Sequence, residues 1–501
     1  MARRALLALM LAAGAVVLPA VAATGQDEGA HEDHPSTSEL QARIDAASPG
    51  DVVHIESGMY HGNLLVDVPV VLHGMGRPLI QGDGTGSVIT VSAPGAVVDG
   101  LSVRGSGPGP VGGPAGVRVE ATATGAVIRD VVVEGSYYGI AVFGARGVQI
   151  VGNTIHGRAA AAIGDEGHAI DPEAGEPTPG HEQHDGEPGI FSRGDGISLW
   201  DAEDVLVRDN DIQDARDGVF LSFGKNALID RNRISGSRYA VHSMFAEELT
   251  LSENLFEENL SGAVMMYGGR VLLLRNAIHD SHSPSTGFGV LLKDVEDVEV
   301  AENVLTGNRV GVQVDGPPAG AAGEIRIHRN TVALNRFGVS LYPSGHATFF
   351  ANSFVENTVQ VVAQGTGVAG KNEWSFEGVG NFWSDYRGYD LAGEGVGDVA
   401  YLAGGSVEGL LRRAPVLEAL ASGPAFGLLR AVGDRWVEHE PIVEDPLPLM
   451  RPASPSAGGA GSNVVASAAL GAIGLGVVAI AGVAVIGIRR PLRKGRVHRG
   501  T

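Results

Sequence analysis

Cysteine is absent from this chain of 501 residues, so disulfides and thiolate metal ligands are both excluded. Basic residues are scarce, 36 Lys and Arg against 58 Asp and Glu, for a formal charge of −22. A surface that acidic repels nucleic acid and anionic lipid, which argues against either as a partner. Aromatic residues make up 5% of the chain, and long apolar runs occur only at its two ends. Glycine, in contrast, is plentiful at 74 residues and is spread through the middle of the sequence.

Much of that glycine punctuates a repeat. A phrase of small, apolar, variable, apolar, variable residues recurs at intervals that are mostly 22 to 27 residues. Copies include Gly116-Val-Arg-Val-Glu120, Gly139-Ile-Ala-Val-Phe143, Gly196-Ile-Ser-Leu-Trp200, Gly218-Val-Phe-Leu-Ser222, Ala240-Val-His-Ser-Met244, Ala263-Val-Met-Met-Tyr267, Gly289-Val-Leu-Leu-Lys293, Gly311-Val-Gln-Val-Asp315 and Gly338-Val-Ser-Leu-Tyr342. A period of this size marks a solenoid, and two-residue alternation between glycine-rich turns marks short strands. The predicted fold is an all-β, right-handed parallel β-helix of about a dozen coils, on the order of 55–60 Å long at one strand spacing per coil. A second series, Asn210, Asn232, Asn254, Asn276, Asn303, Asn330 and Asn352, keeps the same step. These asparagines are expected at coil corners, where the residue tolerates left-handed backbone and its amide can bond the next copy.

The ends have other work. Arg3 and Arg4 precede an apolar stretch closed by small residues, the pattern of a secretory signal over 1–23. An acidic leader with His31 and His34 covers 24–37, and the β-helix occupies 38–371 with a helix over 38–47 as its first cap. A long insertion at 157–194 carries His168, His181 and His184 and reads as a solvated loop or a weak metal-collecting arm. Capping segments fill 372–452, including 407–420, and a flexible linker fills 453–463. The uncharged stretch 464–488 is long enough for a transmembrane helix, and the basic tail 489–501 places its own side in the cytoplasm. The β-helix is therefore expected outside the membrane, anchored by one helix.

With the second and fourth residues of each phrase inward, Val219, Leu221, Val241, Ser243, Val264, Met266, Val290 and Leu292 form the core column. The outward positions then hold Ser198, Trp200, Phe220, Ser222, His242, Met244, Met265, Tyr267, Leu291 and Lys293. So apolar an outward face needs a reason. One reading is a soft metal site: His242, Met244 and Met265 stand on adjacent rungs, and thioether with imidazole selects Cu(I). Met266 is the weaker candidate because it is assigned to the core. The other reading is packing under a loop or against a partner, with Trp200, Phe220 and Tyr267 as the docking patch.

Two further features weigh on function. Asp390, Glu394 and Asp398 match a calcium loop in part, but Ala392 breaks it, and a rigid glycine-rich turn is the preferred reading. Asp195 and Asp217 precede equivalent phrases on neighbouring coils, as a glycosidase carboxylate pair would. With Arg216 and Arg238 beside them, an ion-pair ladder is the expected arrangement. A carbohydrate-active enzyme is the rival functional class, and a scaffold without metal is a third.

The segments Arg238-Tyr-Ala-Val-His-Ser-Met-Phe245 and Ala263-Val-Met-Met-Tyr-Gly268 resemble the NosD family. So do Gly58-Met-Tyr-His-Gly62, Arg193-Gly-Asp-Gly-Ile-Ser-Leu-Trp200, Asn381-Phe-Trp-Ser-Asp-Tyr-Arg-Gly-Tyr-Asp390 and Asp445-Pro-Leu-Pro-Leu-Met-Arg-Pro452. The likeness spans about residues 38–452, and its last two motifs are the specific ones. It implies a non-enzymatic, extracytoplasmic copper-binding protein that helps mature the copper–sulfide centre of nitrous oxide reductase. It also implies an ABC transporter permease and ATPase as partners and a small lipoprotein as copper donor. The C-terminal span departs from that pattern, since members of the family are typically soluble periplasmic proteins.

Overall fold

The computed structural model describes residues 37–158, 193–283, 285–317, 323–365, 368, 371–404 and 441–453. The signal at 1–23, the leader histidines His31 and His34, His168, His181 and His184 of the insertion, the capping segment 407–420, and the stretch 464–488 all lie outside these residues. Among the described residues no helix is long and apolar enough to cross a membrane.

Short strands of alternating burial stack into three parallel sheets of 12, 13 and 12 strands. Successive strands go to successive sheets, so each strand pairs with its counterpart one coil away, as a parallel β-helix requires. Inward Val, Ile and Leu side chains from all three sheets fill the lumen as one continuous apolar core. The phrase glycines are small for a reason of space. A Cβ on Gly218 would lie 2.6 Å from the carbonyl oxygen of Ala240 and 2.3 Å from Ile234.

The asparagine series lies inside the coil, one residue past the place expected for it. The left-handed residue at each corner is the one before: Asp209, Arg231, Glu253, Arg275, Glu302, Arg329 and Ala351, with φ between 53° and 58°. Each asparagine is instead buried and faces the next coil. Asn232 Nδ2 donates to Asn254 Oδ1 at 3.0 Å and Asn254 Nδ2 to Asn276 Oδ1 at 2.8 Å, while each backbone N–H donates to the same oxygen. The corner itself points to water, which explains why charged side chains occupy six of these seven positions despite the strained backbone.

Both ends of the stack are closed. Helix Thr37–Asp45 lays Leu40 and Ile44 over the first coil, and the Gln41 amide exchanges two hydrogen bonds of 2.9 Å with the Leu65 backbone, imitating a further strand. At the other end Phe382–Trp383 still pairs in the second sheet. There the asparagine ladder reaches Asn381, whose N–H donates to Asp445 Oδ2 at 2.8 Å, and Trp383 Nε1 donates to the same oxygen at 2.9 Å. Phe354, Trp383 and Tyr401 stack above the lumen with ring centres 4.4 and 4.3 Å apart. Thus the two terminal motifs, Asn381 to Asp390 and Asp445 to Pro452, meet in one plug.

Candidate functional site on the third sheet

Three adjacent strands carry the surface singled out by the sequence: Asp217–Ser222, Tyr239–Met244 and Ser261–Met266. Their register corrects one expectation. Val241 pairs with Ala263, His242 with Val264, Ser243 with Met265 and Met244 with Met266. The third phrase therefore begins at Gly262, and its Cβ space is closed by the Gly289 carbonyl oxygen at 2.5 Å. Met265 is a lumen residue at 1% exposure, packed in the apolar core, and Met266 is the outward, half-buried one. Val264, assigned to the core column, is likewise outward. The 22-residue step from Asn254 to Asn276, applied to Ala240, lands on Gly262 and would have given this register.

Outward thioethers thus stand side by side at Met244 and Met266, with backbones about 5 Å apart. Ser222 and Lys293 bound the pair on the same row. His242 is two residues along from Met244, and its ring is nearly buried at 7% exposure. The Phe220 and Tyr239 ring centres lie 5.2 and 5.0 Å from the imidazole. Phe220 itself is 3% exposed, so it belongs to this packing and drops out of the docking patch.

Trp200 ends its strand, and the other exposed aromatics lie at the corner just beyond the strands. Trp200, Phe223, Phe245 and Tyr267 form a ladder with successive ring centres 5.7, 5.1 and 5.1 Å apart. Their exposure runs from 38% to 51%. Phe223, Phe245 and Tyr267 all adopt left-handed backbone, φ 54° to 57°. Bulky residues pay about 1–3 kcal/mol for that conformation, and each ring pair returns about 0.5–1.5 kcal/mol. Sequence reading reached the two ends of this ladder but missed Phe223 and Phe245, which sit one residue outside the repeated phrase.

Beneath the surface lies a buried ion-pair ladder. Arg216 donates from Nε to Asp195 Oδ1 at 2.9 Å and from Nη2 to Oδ2 at 3.2 Å. One coil on, Arg238 donates to both oxygens of Asp217 at 2.9 and 2.6 Å. Asp217 Oδ2 also lies within hydrogen-bond distance of His242 Nδ1, at 3.0 Å. Burial alone would raise the Asp217 carboxyl, but Arg238 and His242 together hold it well below the usual range. Asp195 is pushed up by burial, against the pull of Arg216 and with the charge of Asp217 adding to it. Both carboxylates are wholly enclosed, with 0% side-chain exposure. They are committed to arginine and closed to substrate, unlike a pair that must protonate and attack a sugar.

Among the described residues no group of three or more His, Cys, Asp and Glu side chains assembles as a metal site; a His and Met set falls outside that chemistry. In the candidate calcium loop, Asp390 accepts from the amides of Gly393, Glu394 and Gly395 at 2.7, 3.1 and 2.7 Å, and Asp398 from that of Leu391 at 2.7 Å. These bonds make it a self-capped turn.

Fold and surface together define a parallel β-helix with a thioether and aromatic face over a buried charge ladder. A family model described as "Periplasmic copper-binding protein (NosD)" matches residues 181–388. A protein of Pseudomonas aeruginosa named "Probable ABC transporter binding protein NosD" is 30% identical over 408 residues, 79% of this chain and 87% of the relative. A protein of the same name from Stutzerimonas stutzeri is 28% identical over 418 residues, covering 79% and 86%. The chain belongs to the NosD family. Its fold also resembles that of the A-module of mannuronan C-5 epimerase AlgE6 of Azotobacter vinelandii, at a TM-score of 0.50 and 15% identity over 67% of this chain and 93% of that one. At that identity the likeness is one of fold alone.

Proposed function

We propose that the protein is an extracytoplasmic copper-binding accessory protein, and that His242, Met244 and Met266 hold Cu(I) as cargo. The observation that carries this reading is the register pairing of Met244 with Met266 beside His242. Two soft sulfur donors and an imidazole suit Cu(I) better than zinc or calcium. Family membership supports it independently of the geometry. The enclosed state of Asp195 and Asp217 disfavours the carbohydrate-enzyme alternative.

Release is then the demanding step. At about picomolar affinity and a typical on-rate of about 10⁶–10⁷ M⁻¹s⁻¹, free dissociation takes on the order of a day or more. Delivery therefore proceeds by ligand exchange: half-buried thioethers let an incoming donor bind before His242 lets go. The ladder Trp200, Phe223, Phe245 and Tyr267 is the docking face for that exchange, a cluster of aromatic anchors of the kind that dominates protein interfaces. The partners in this proposal are a copper-donor lipoprotein, an ABC transporter permease with its ATPase, and nitrous oxide reductase as recipient. A transmembrane helix at 464–488 holds the β-helix at the membrane.

Cu(I) titration against a chromophoric chelator tests the site. The His242→Ala, Met244→Leu, Met266→Leu variant is expected to lose the tight stoichiometric binding of the wild type. Equal affinity and stoichiometry in the two proteins would refute it.

A further inference from the structure

We infer that Asp217 is a positioning residue: it locks His242 in the Nδ1–H tautomer, so that Nε2 keeps its lone pair for a soft cation. The inference rests on the proposed copper site, but its first half concerns the metal-free protein alone. Asp217 receives the Nε and Nη2 hydrogens of Arg238, one on each oxygen, at 2.9 and 2.6 Å. A carboxylate clamped in this way by a guanidinium is ionised and can only accept. Nδ1 of His242, 3.0 Å from Oδ2, must therefore be the donor. In a neutral imidazole the other nitrogen is then the acceptor, which fixes Nε2 as the ligand atom.

The arrangement is enclosed by packed side chains. Asp217 is fully buried and Arg238 lies with its guanidinium carbon 4.6 Å from the Tyr239 ring centre. The imidazole packs near the rings of Tyr239 and Phe220. Behind Asp217 the Asp195–Arg216 pair repeats the same clamp one coil earlier. His328 has a different environment, with Nε2 facing Glu299 at 3.0 Å and Nδ1 at 3.4 Å from Arg329 Nη1. There both ring nitrogens are engaged, whereas His242 is tethered through Nδ1.

Long-range ¹H–¹⁵N NMR on the full chain labelled with ¹⁵N-histidine decides the tautomer, the His242 signal being identified by its loss in His242→Gln. The metal-free wild type is expected in the Nδ1–H form. In Asp217→Asn the Nε2–H form should grow in, and Cu(I) affinity should fall roughly ten- to a hundredfold. Asp217→Glu, which keeps a carboxylate acceptor, should hold the Nδ1–H form and bind copper more tightly than the asparagine variant. An Nε2–H wild type overturns the proposal without any variant. So does an Asp217→Asn protein that folds and binds Cu(I) as the wild type does, or a glutamate variant that loses as much as asparagine. Unchanged copper affinity in His242→Gln would sink the copper site itself and with it the role of Asp217 in binding, while the tautomer measurement would still report on the lock.

Discussion

Asp217 accepts three hydrogen bonds in a place that water does not reach, and its ionised form is therefore worth stability to the fold. Its folded pKa is depressed below the unfolded value of about 3.9. The stability it contributes is present above that value and is lost as pH falls through the folded pKa. Asp445 acts in the opposite sense. Burial raises its carboxyl, against the hydrogen bonds from Trp383 and Asn381, so its contribution favours low pH and declines as pH rises from the ordinary aspartate range through the raised value. Urea unfolding at a series of pH values should show a weaker loss of stability below about pH 4 in Asp217→Asn than in the wild type. In Asp445→Asn the decline on the upper side should vanish. A parallel pH dependence in all three proteins would remove these residues from the account. The two neighbouring methionines provide a second residue-scale test. Met265→Leu is a volume-conserving change in the core and should cost less than about 1.5 kcal/mol and leave Cu(I) binding intact, whereas Met266→Leu should weaken binding with little change in stability. Reversal of the two results would mean that the strand runs in the other register.

The asparagine ladder ties each coil to the next through buried amides. Asn254 accepts from both the backbone N–H and the side-chain amide of Asn232, and donates to Asn276 and to the Ile229 carbonyl. Asn254→Ala strands these buried groups at about 1–3 kcal/mol each, so a loss of about 3–6 kcal/mol is expected by chemical denaturation. Asn352, next to the capped end, also donates to Asn381, whose own amides reach Trp374 and Asp445, and should be comparably sensitive. Period and alternation made the solenoid, its small phrase positions and the ladder spacing legible, because each follows from a local rule repeated many times. Two things were not legible for the same reason. At Gly262-Ala263 two small residues stand together, and either could open the phrase, so alternation alone does not choose between Met265 and Met266. Phe223 and Phe245 lie in corners, where burial does not dictate residue type and the repeat carries no information about the side chain. The contact of Asp217 with His242 joins a strand start to the middle of the next strand and has no signature in spacing.

At the scale of the whole molecule the proposed functions divide between a face and a tether. The aromatic ladder runs along the corner that directly follows the strand ends carrying the thioether pair, so a protein docked on the rings reaches the sulfur atoms without crossing the solenoid. Such an interface need not be strong if the partners are confined to the same membrane, because tethering turns encounter into an effectively intramolecular event. The 464–488 stretch is proposed to supply that confinement. A chain ending at residue 463 keeps every residue of the stack, its two caps and the copper ligands, and should bind Cu(I) as the full chain does. Its capacity to support reductase maturation should drop in cells and return when the truncated protein is strongly overproduced, since raised concentration substitutes for the tether. Phe245→Ala in the anchored chain should likewise separate maturation from copper binding. It removes ring contacts at the centre of the ladder, so maturation should fall while copper affinity holds, and the anchor should mask part of the defect. Combining Phe245→Ala with truncation at 463 should then cost more than the two changes separately. Simple additivity of the two defects, measured as copper loaded into the reductase, would show that docking and tethering do not act on the same encounter.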